Sequence, residues 1–236
     1  TPCEIVWCGD LGGAGGGSGR GCTDGERGES GWRSAGDGLC AVAWADSQAL
    51  VSIFGSDRPL TGTSRMAFAV PHPVGPRVFD RASSAAAWVQ IRQAAETGTE
   101  IPRGWAVDAH GDQTTDATAA LEGALLPFGG VKGSNIAVMI DLLSALVGAS
   151  FSREAPSFTD GDHPPRLGLC IIAIDPDAFV DDFVHRAEDH LAGLHRDWDI
   201  DFGRRRAPLE SIRVAEPTLQ ALIDAGAGRA DEGAGT

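Results

Sequence analysis

The chain has 236 residues, 42% of them hydrophobic, which is enough apolar material for one sizeable core or two small ones and excludes disorder throughout. Nineteen basic against 33 acidic residues leave a formal charge of −14, which repels a phosphate backbone or an anionic lipid surface and argues against nucleic acid and membranes as partners. The longest apolar run, Ile136 to Val147, is interrupted by Asp141 and is too short to span a bilayer.

The N-terminal TPCEIVWCGDLGG has no basic region leading into an apolar one and does not begin with Met, so it reads as a fragment or processed chain without a visible signal peptide. The five cysteines, Cys3, Cys8, Cys22, Cys40 and Cys170, are odd in number and lack C-x-x-C spacing. The expectation is neither a disulfide framework nor a zinc site, and a reducing cytoplasm. From Gly9 to Gly38 the composition is glycine-rich with little to bury, so residues 1–38 read as an irregular segment, mobile or translated out of frame. No G-x-G-x-x-G in register occurs there.

Ordered pattern starts at Leu39 and is expected to run to residue 224, followed by a small, polar, disordered tail over 225–236. LCAVAWA, MAFAVP and PRVFD are strand-length apolar runs. SSAAAWVQIRQAAETG follows with helical spacing, Ser83 or Ser84 as the N-cap and Gly98 as the stop. WAVDAHGDQTTD is expected to be a strand entering a tight turn over Asp108 to Asp112. Ser134 is the expected cap of a core helix that begins after Gly133 and turns Ile136, Met139, Ile140, Leu143, Leu146 and Val147 to one broad face. LGLCIIAI reads as a buried strand leading into a helix capped by Asp175, and FVDDFVHRAEDHLAGLH as an amphipathic helix with Phe179, Phe183, Ala187, Leu191 and Leu194 inward. The pattern is α/β or α+β, without internal repeats.

One stretch, PFGGVKGS, carries a distinct chemical suggestion. A helix start presents unpaired N–H groups and partial positive charge, and Gly129, Gly130 and Gly133 let an anion approach the backbone while Lys132 adds a full charge. The residues equally allow a tight turn with a solvated lysine. The spacing is not that of a Walker A loop. Asp181, His185 and Asp189 fall at i, i+4 and i+8 and could hold a metal or simply form a solvated face; His163 with Asp160 and Asp162 could do so or form a surface turn. No metal site is assigned. His110, in the DAHGD turn, is a candidate general acid or base. Neither H-E-x-x-H nor G-x-S-x-G occurs.

Taken in order and spacing, LTGTSRMAFAVP, FDRASSAAAW, IPRGWAVDAHGDQTTD, GALLPFGGVKGSNIAVMIDLLSALVGASF and IIAIDPDAF resemble the non-Rossmann malate/L-lactate dehydrogenase family, over roughly Leu39 to Ala207. The resemblance implies a mixed, largely antiparallel sheet with flanking helices. It also implies a cytoplasmic homodimer that transfers a hydride between NAD or NADP and a small 2-hydroxy or 2-imino carboxylic acid. Carried over by position, Lys132 would hold the cofactor, Asp80, Arg81 and Ala82 would line its cleft, and Ser47 would contact it. Arg81 is a candidate for a 2′-phosphate. The departures are as specific. The family's upstream S-H-x-x-G block is not found, and no histidine precedes His72; G-T-N-P reads GTSR over Gly62 to Arg65, and Val131 stands where the family has histidine. The expectation is therefore an N-terminally shortened chain with an unassigned catalytic residue, His72 and His110 being the only surrogates. The alternative is a catalytically dead or truncated member retaining part of the cofactor site.

Overall fold

The computed structural model describes the backbone of residues 3–10, residues 34–157 and 166–203, and Glu216, Leu219, Gln220 and Ile223. The expectations for residues 11–33, for His163 with Asp160 and Asp162, and for the 225–236 tail lie outside the described residues. Two compact units divide the chain, Thr1–Arg205 and Arg206–Thr236, and both sheets lie in the first.

Five strands form an antiparallel sheet in the order β1-β8-β2-β3-β4: β1 Cys3–Asp10, β2 Cys40–Ala45, β3 Arg65–Val70, β4 Arg77–Ala82 and β8 Gly168–Ile174. β8 sits between β1 and β2, with Cys170 opposite both Cys8 and Trp44. Its alternate residues join different apolar clusters, Cys170 with Trp44 and Ile140, Leu169 and Ile171 with Ala43 and Ala67, which explains a strand apolar on both faces. β1 is a strand that the composition of its region did not suggest. Cys170 is disulfide-bonded, which corrects the expectation from cysteine spacing. Cys40 is a free thiol, and burial raises its pKa.

A second, three-stranded antiparallel sheet has the order β6-β5-β7, from β5 Ala106–Val107, β6 Gln113–Thr114 and β7 Ala124–Leu125. The β5–β6 hairpin is closed by the expected Asp108–Asp112 turn, where the Asp108 carboxylate accepts from the amides of His110 (2.9 Å) and Asp112 (3.1 Å). Around this sheet a core gathers Val51, Ile91, Ala106, Ala120, Leu125 and Ala137. Helices α1, Trp88–Thr97, and α2, Ala117–Glu122, contribute Ile91 and Ala120 to it.

Helix α3, Val131–Leu146, serves both cores: Ala137 joins the small-sheet cluster, while Ile140 packs on Trp44 and Cys170 of the large sheet. Its sequence is accordingly apolar on several sides, so the single face expected from periodicity is wrong in part. Met139 and Leu146 point outward and are 43% and 80% exposed. Two further expectations need correction. Helix α1 starts at Trp88 behind Ala87, not behind Ser83 or Ser84, whose hydroxyls donate to the Thr63 and Ala86 carbonyls instead. Asp175 caps a single 3₁₀ turn, Pro176–Ala178; the long helix α4, Phe183–Trp198, begins later, and Phe179 is exposed. Arg77 ties the residues after α4 to β4 through an ion pair with Asp201 at 2.8 Å.

Candidate functional site

Gly129 and Gly130 both have φ near +60°, and no described atom lies within 4 Å of where a Cβ on either would sit. Only glycine takes such a pair of conformations cheaply, and the bare backbone turns directly into α3. Gly133 has a different role: a Cβ there would lie 2.0 Å from the Phe128 carbonyl oxygen, so the helix's first turn is packed against the incoming chain. Ser134 is not the cap, since α3 starts at Val131 behind Gly130. Its buried hydroxyl donates to the Gly130 carbonyl (3.1 Å) and accepts from the Phe54 amide (3.2 Å), fastening the 52–56 loop to the helix start. Lys132 stands in the first turn, exposed, and makes no ion pair with a described residue.

These segments border an open cleft of about 410 Å³, with Ser52, Phe54, Leu126, Gly129, Gly130 and Val131 among its lining residues. That volume lies in the range of small-molecule sites, and the lining is mostly apolar with a few polar groups, as such sites require. A glycine-bare helix start with an exposed lysine beside such a cavity fits the phosphate or ribose end of a nicotinamide cofactor.

Of the other expected residues, Ser47 and Ala82 are tied to this place by a relay of hydrogen bonds. Thr63 donates its amide to Ser47 Oγ at 3.0 Å. Ser83 then donates both amide (2.7 Å) and hydroxyl (2.9 Å) to the Thr63 carbonyl, and Phe128 donates to the Ser83 carbonyl at 2.9 Å. Gly62 packs on the same serine, where a Cβ would meet Ser47 Oγ at 2.4 Å. Ser47, the 62–64 turn and the end of β4 at Ala82 are thus joined to the residue preceding Gly129. Asp80 and Arg81 lie farther along β4 and point to opposite faces. Asp80 Oδ1 is 3.9 Å from Arg65 Nη1, whereas Arg81 is exposed, donates to the Asp80 carbonyl and lies over the Phe79 ring at 6.0 Å.

None of Ser47, Asp80, Arg81, Ala82 and Lys132 itself lines the cavity; of their immediate sequence neighbours Val131, next to Lys132, does. Ser52, Phe54 and Ser134 are site residues that the sequence does not single out as such. Ser134 has a signal, a serine one position after the glycines, but the same signal fits a helix cap. Phe54 and Ser52 sit in a segment with no motif. The two histidine surrogates are elsewhere: His110 is exposed at the hairpin tip, and His72 lies in the β3–β4 loop, accepting from the Val74 amide at 3.4 Å. Asp181 precedes α4, so the supposed metal trio shares no helix face; His185 lies instead 3.7 Å from Glu188 and 4.0 Å from Asp189. Among the described residues no group of three or more His, Cys, Asp or Glu is placed to hold a metal ion, and no helix is long and apolar enough to cross a membrane.

Comparison with known proteins agrees with this architecture. The family model of malate/L-lactate dehydrogenase matches residues 25–205. A Δ1-pyrroline-2-carboxylate/Δ1-piperideine-2-carboxylate reductase of Pseudomonas aeruginosa is 44% identical over 158 residues, 66% of this chain and 46% of that protein. A (2R)-3-sulfolactate dehydrogenase (NADP(+)) of Chromohalobacter salexigens is 36% identical over 80% of this chain and 60% of its own length. The crystal structure of Δ1-piperideine-2-carboxylate reductase from Pseudomonas syringae pvar. tomato superposes with a TM-score of 0.71 at 33% identity, covering 83% of this chain and 62% of that one. The chain therefore spans about half the length of the curated relatives it matches. With a mixed, antiparallel fold shared with solved relatives and a family match over most of its length, the chain belongs to the malate/L-lactate dehydrogenase family.

Proposed function

We propose that the chain is an NAD(P)-dependent oxidoreductase acting on a small 2-imino or 2-hydroxy carboxylic acid, with cyclic 2-imino acids the first class to test. The observation that carries this reading is the glycine-bare start of α3 beside a small-molecule cavity, in a chain of this family. Relatives named as pyrroline- and piperideine-2-carboxylate reductases at 44% identity favour the imino acids, and the sulfolactate dehydrogenase, named for NADP(+), favours the phosphorylated cofactor.

The chemistry that a bound nicotinamide supplies is hydride transfer to or from the substrate carbon. Lys132 supplies the charge that meets a cofactor phosphate or ribose, and the first turn of α3 adds its dipole to the same field. Gly133 and Ser134 hold that turn against Phe128 and Phe54, so the field is aimed before binding. Ser47 keeps the 62–64 turn and, through Ser83, the Phe128 carbonyl region in register with it. Asp80 and Ala82, on one face of β4, extend the cleft along that strand, and Arg81, on the opposite face, is offered for a 2′-phosphate on its place in the family pattern. On the same family reading the protein works in the cytoplasm as a homodimer.

The test is a fluorescence titration of the purified chain with NADH and NADPH, in wild type and Lys132→Ala. A substrate screen comes next, with pyrroline-2-carboxylate, piperideine-2-carboxylate and 2-hydroxy acids, read by nicotinamide absorbance. Saturable binding lost in Lys132→Ala is the expected result; a folded wild type that binds neither nucleotide refutes the reading.

A further inference from the structure

Phe54 occupies a position that protein folding alone does not explain. Residues Ile53 to Ser56 form a four-residue turn, closed by the Ser56 amide donating to the Ile53 carbonyl at 3.0 Å. Its central residues have φ of +53° (Phe54) and +79° (Gly55), the mirror-image backbone in which Asn, Asp or Gly is normally found at the first place. A bulky aromatic there is strained.

Burial does not repay the strain, because Phe54 is 57% exposed. The surroundings nevertheless hold it in place. Its amide donates to Ser134 Oγ, from the first turns of α3, and the Ser52 hydroxyl donates to the Ser56 carbonyl across the turn. Both serines are buried at 1% exposure, so the turn is fixed from two sides. The residue so held lines the 410 Å³ cavity together with Gly129 and Gly130. A half-exposed aromatic on a fixed turn, lining the same cavity as two glycines, has the shape and stiffness of a stacking platform.

We propose that Phe54 is the platform on which a planar heteroaromatic ring of the bound dinucleotide stacks. The proposal rests on the reading of this cavity as the cofactor site and adds to it a residue with no charge and no hydrogen bond to offer. Stacking accepts nicotinamide and adenine alike, since both present a π-face. The ring held there is therefore the one whose half-molecule loses affinity when Phe54 is replaced.

The experiment titrates the full chain with NADPH, and separately with reduced nicotinamide mononucleotide and with ADP-ribose, in wild type, Phe54→Asn, Phe54→Trp and Lys132→Ala. Thermal unfolding of each is recorded alongside. Asparagine suits the turn, so Phe54→Asn is expected to melt no lower than wild type while binding NADPH about tenfold more weakly; Phe54→Trp stays within about threefold of wild type. The half-molecule weakened in Phe54→Asn identifies the ring. Undiminished binding in Phe54→Asn, with loss in Lys132→Ala, overturns the platform and leaves the cofactor site standing. Equal loss in the Asn and Trp variants, with lowered melting in both, makes Phe54 a packing residue and overturns it too. Absence of binding by folded wild type overturns both readings together.

Discussion

The Cα of Gly133 sits so close behind the Phe128 carbonyl that a Cβ on it would lie 2.0 Å from that oxygen. The obstacle is backbone, whose own amide is bonded to the Ser83 carbonyl at 2.9 Å, so it has little room to retreat. In an open helix, replacing glycine by alanine gains about 1 kcal/mol. Here the overlap costs about 3 kcal/mol or more and decides the sign. Gly133→Ala is expected to lower the unfolding temperature and to weaken nucleotide binding by shifting the start of α3. An alanine variant as stable as wild type would show that the first turn is not pressed on Phe128.

Lys132, one residue earlier, is expected to behave in the opposite way. It is exposed and makes no ion pair with a described residue, so its removal changes stability by no more than about 0.5 kcal/mol. Loss of a charge-assisted contact to a phosphate costs about 1.5–3 kcal/mol, which is roughly tenfold to a hundredfold in affinity. Lys132→Ala should therefore leave the melting curve in place and shift the NADPH titration. Charge being the agent, the shift should shrink as salt is raised.

How much of the molecule is legible in its sequence depends on whether local chemistry or tertiary context has the deciding vote. β8 is legible because its alternate residues enter two apolar clusters, so both faces must be apolar. The Asp108–Asp112 turn is legible because its carboxylate–amide bonds are local. The cap of α1 is not: Ser83 and Ser84 have the right chemistry, but the Ser83 hydroxyl is committed to Thr63, twenty residues away. The face of α3 is ambiguous because Ala137 and Ile140 belong to different cores. At the site, the glycines and Lys132 stand out by their pattern. Phe54 does not, since nothing in IFGS announces a positive φ at the aromatic.

Arg77 and Asp201 form a lock between β4 and the residues after α4. Arg77 is 5% exposed, and its Nη1 has Asp201 Oδ1 at 2.8 Å and the Phe202 carbonyl at 3.5 Å. Its Nε finds no hydrogen-bond partner. Deleting the carboxylate strands a buried cation, which ordinarily costs about 3–5 kcal/mol. Asp201 is 53% exposed, so water recovers part of this, and about 1–3 kcal/mol is expected for Asp201→Ala. Arg77→Met removes the charge itself and should cost less. Chemical denaturation of the two variants decides the matter: a larger loss in Arg77→Met would mean that the lock works by packing of the arginine stem.

The Asp108 carboxyl is held below its ordinary value of 3.8, first by the amide of His110 and further by the amide of Asp112. A depressed folded pKa stabilises the structure above the ordinary carboxylate range and loses that contribution as pH falls through the lowered value. The hairpin turn should therefore be unchanged from neutral pH down to about 4 and loosen only below it. Backbone NMR reads this directly, since the His110 and Asp112 amides report on the acceptor they share. Their shifts should titrate together with a midpoint under 3.8 in wild type and stay flat through that range in Asp108→Asn, whose amide oxygen still accepts but carries no charge. A common midpoint at or above 3.8 would mean that the two amides do not hold the charged form, and that the turn is kept by its backbone bonds alone.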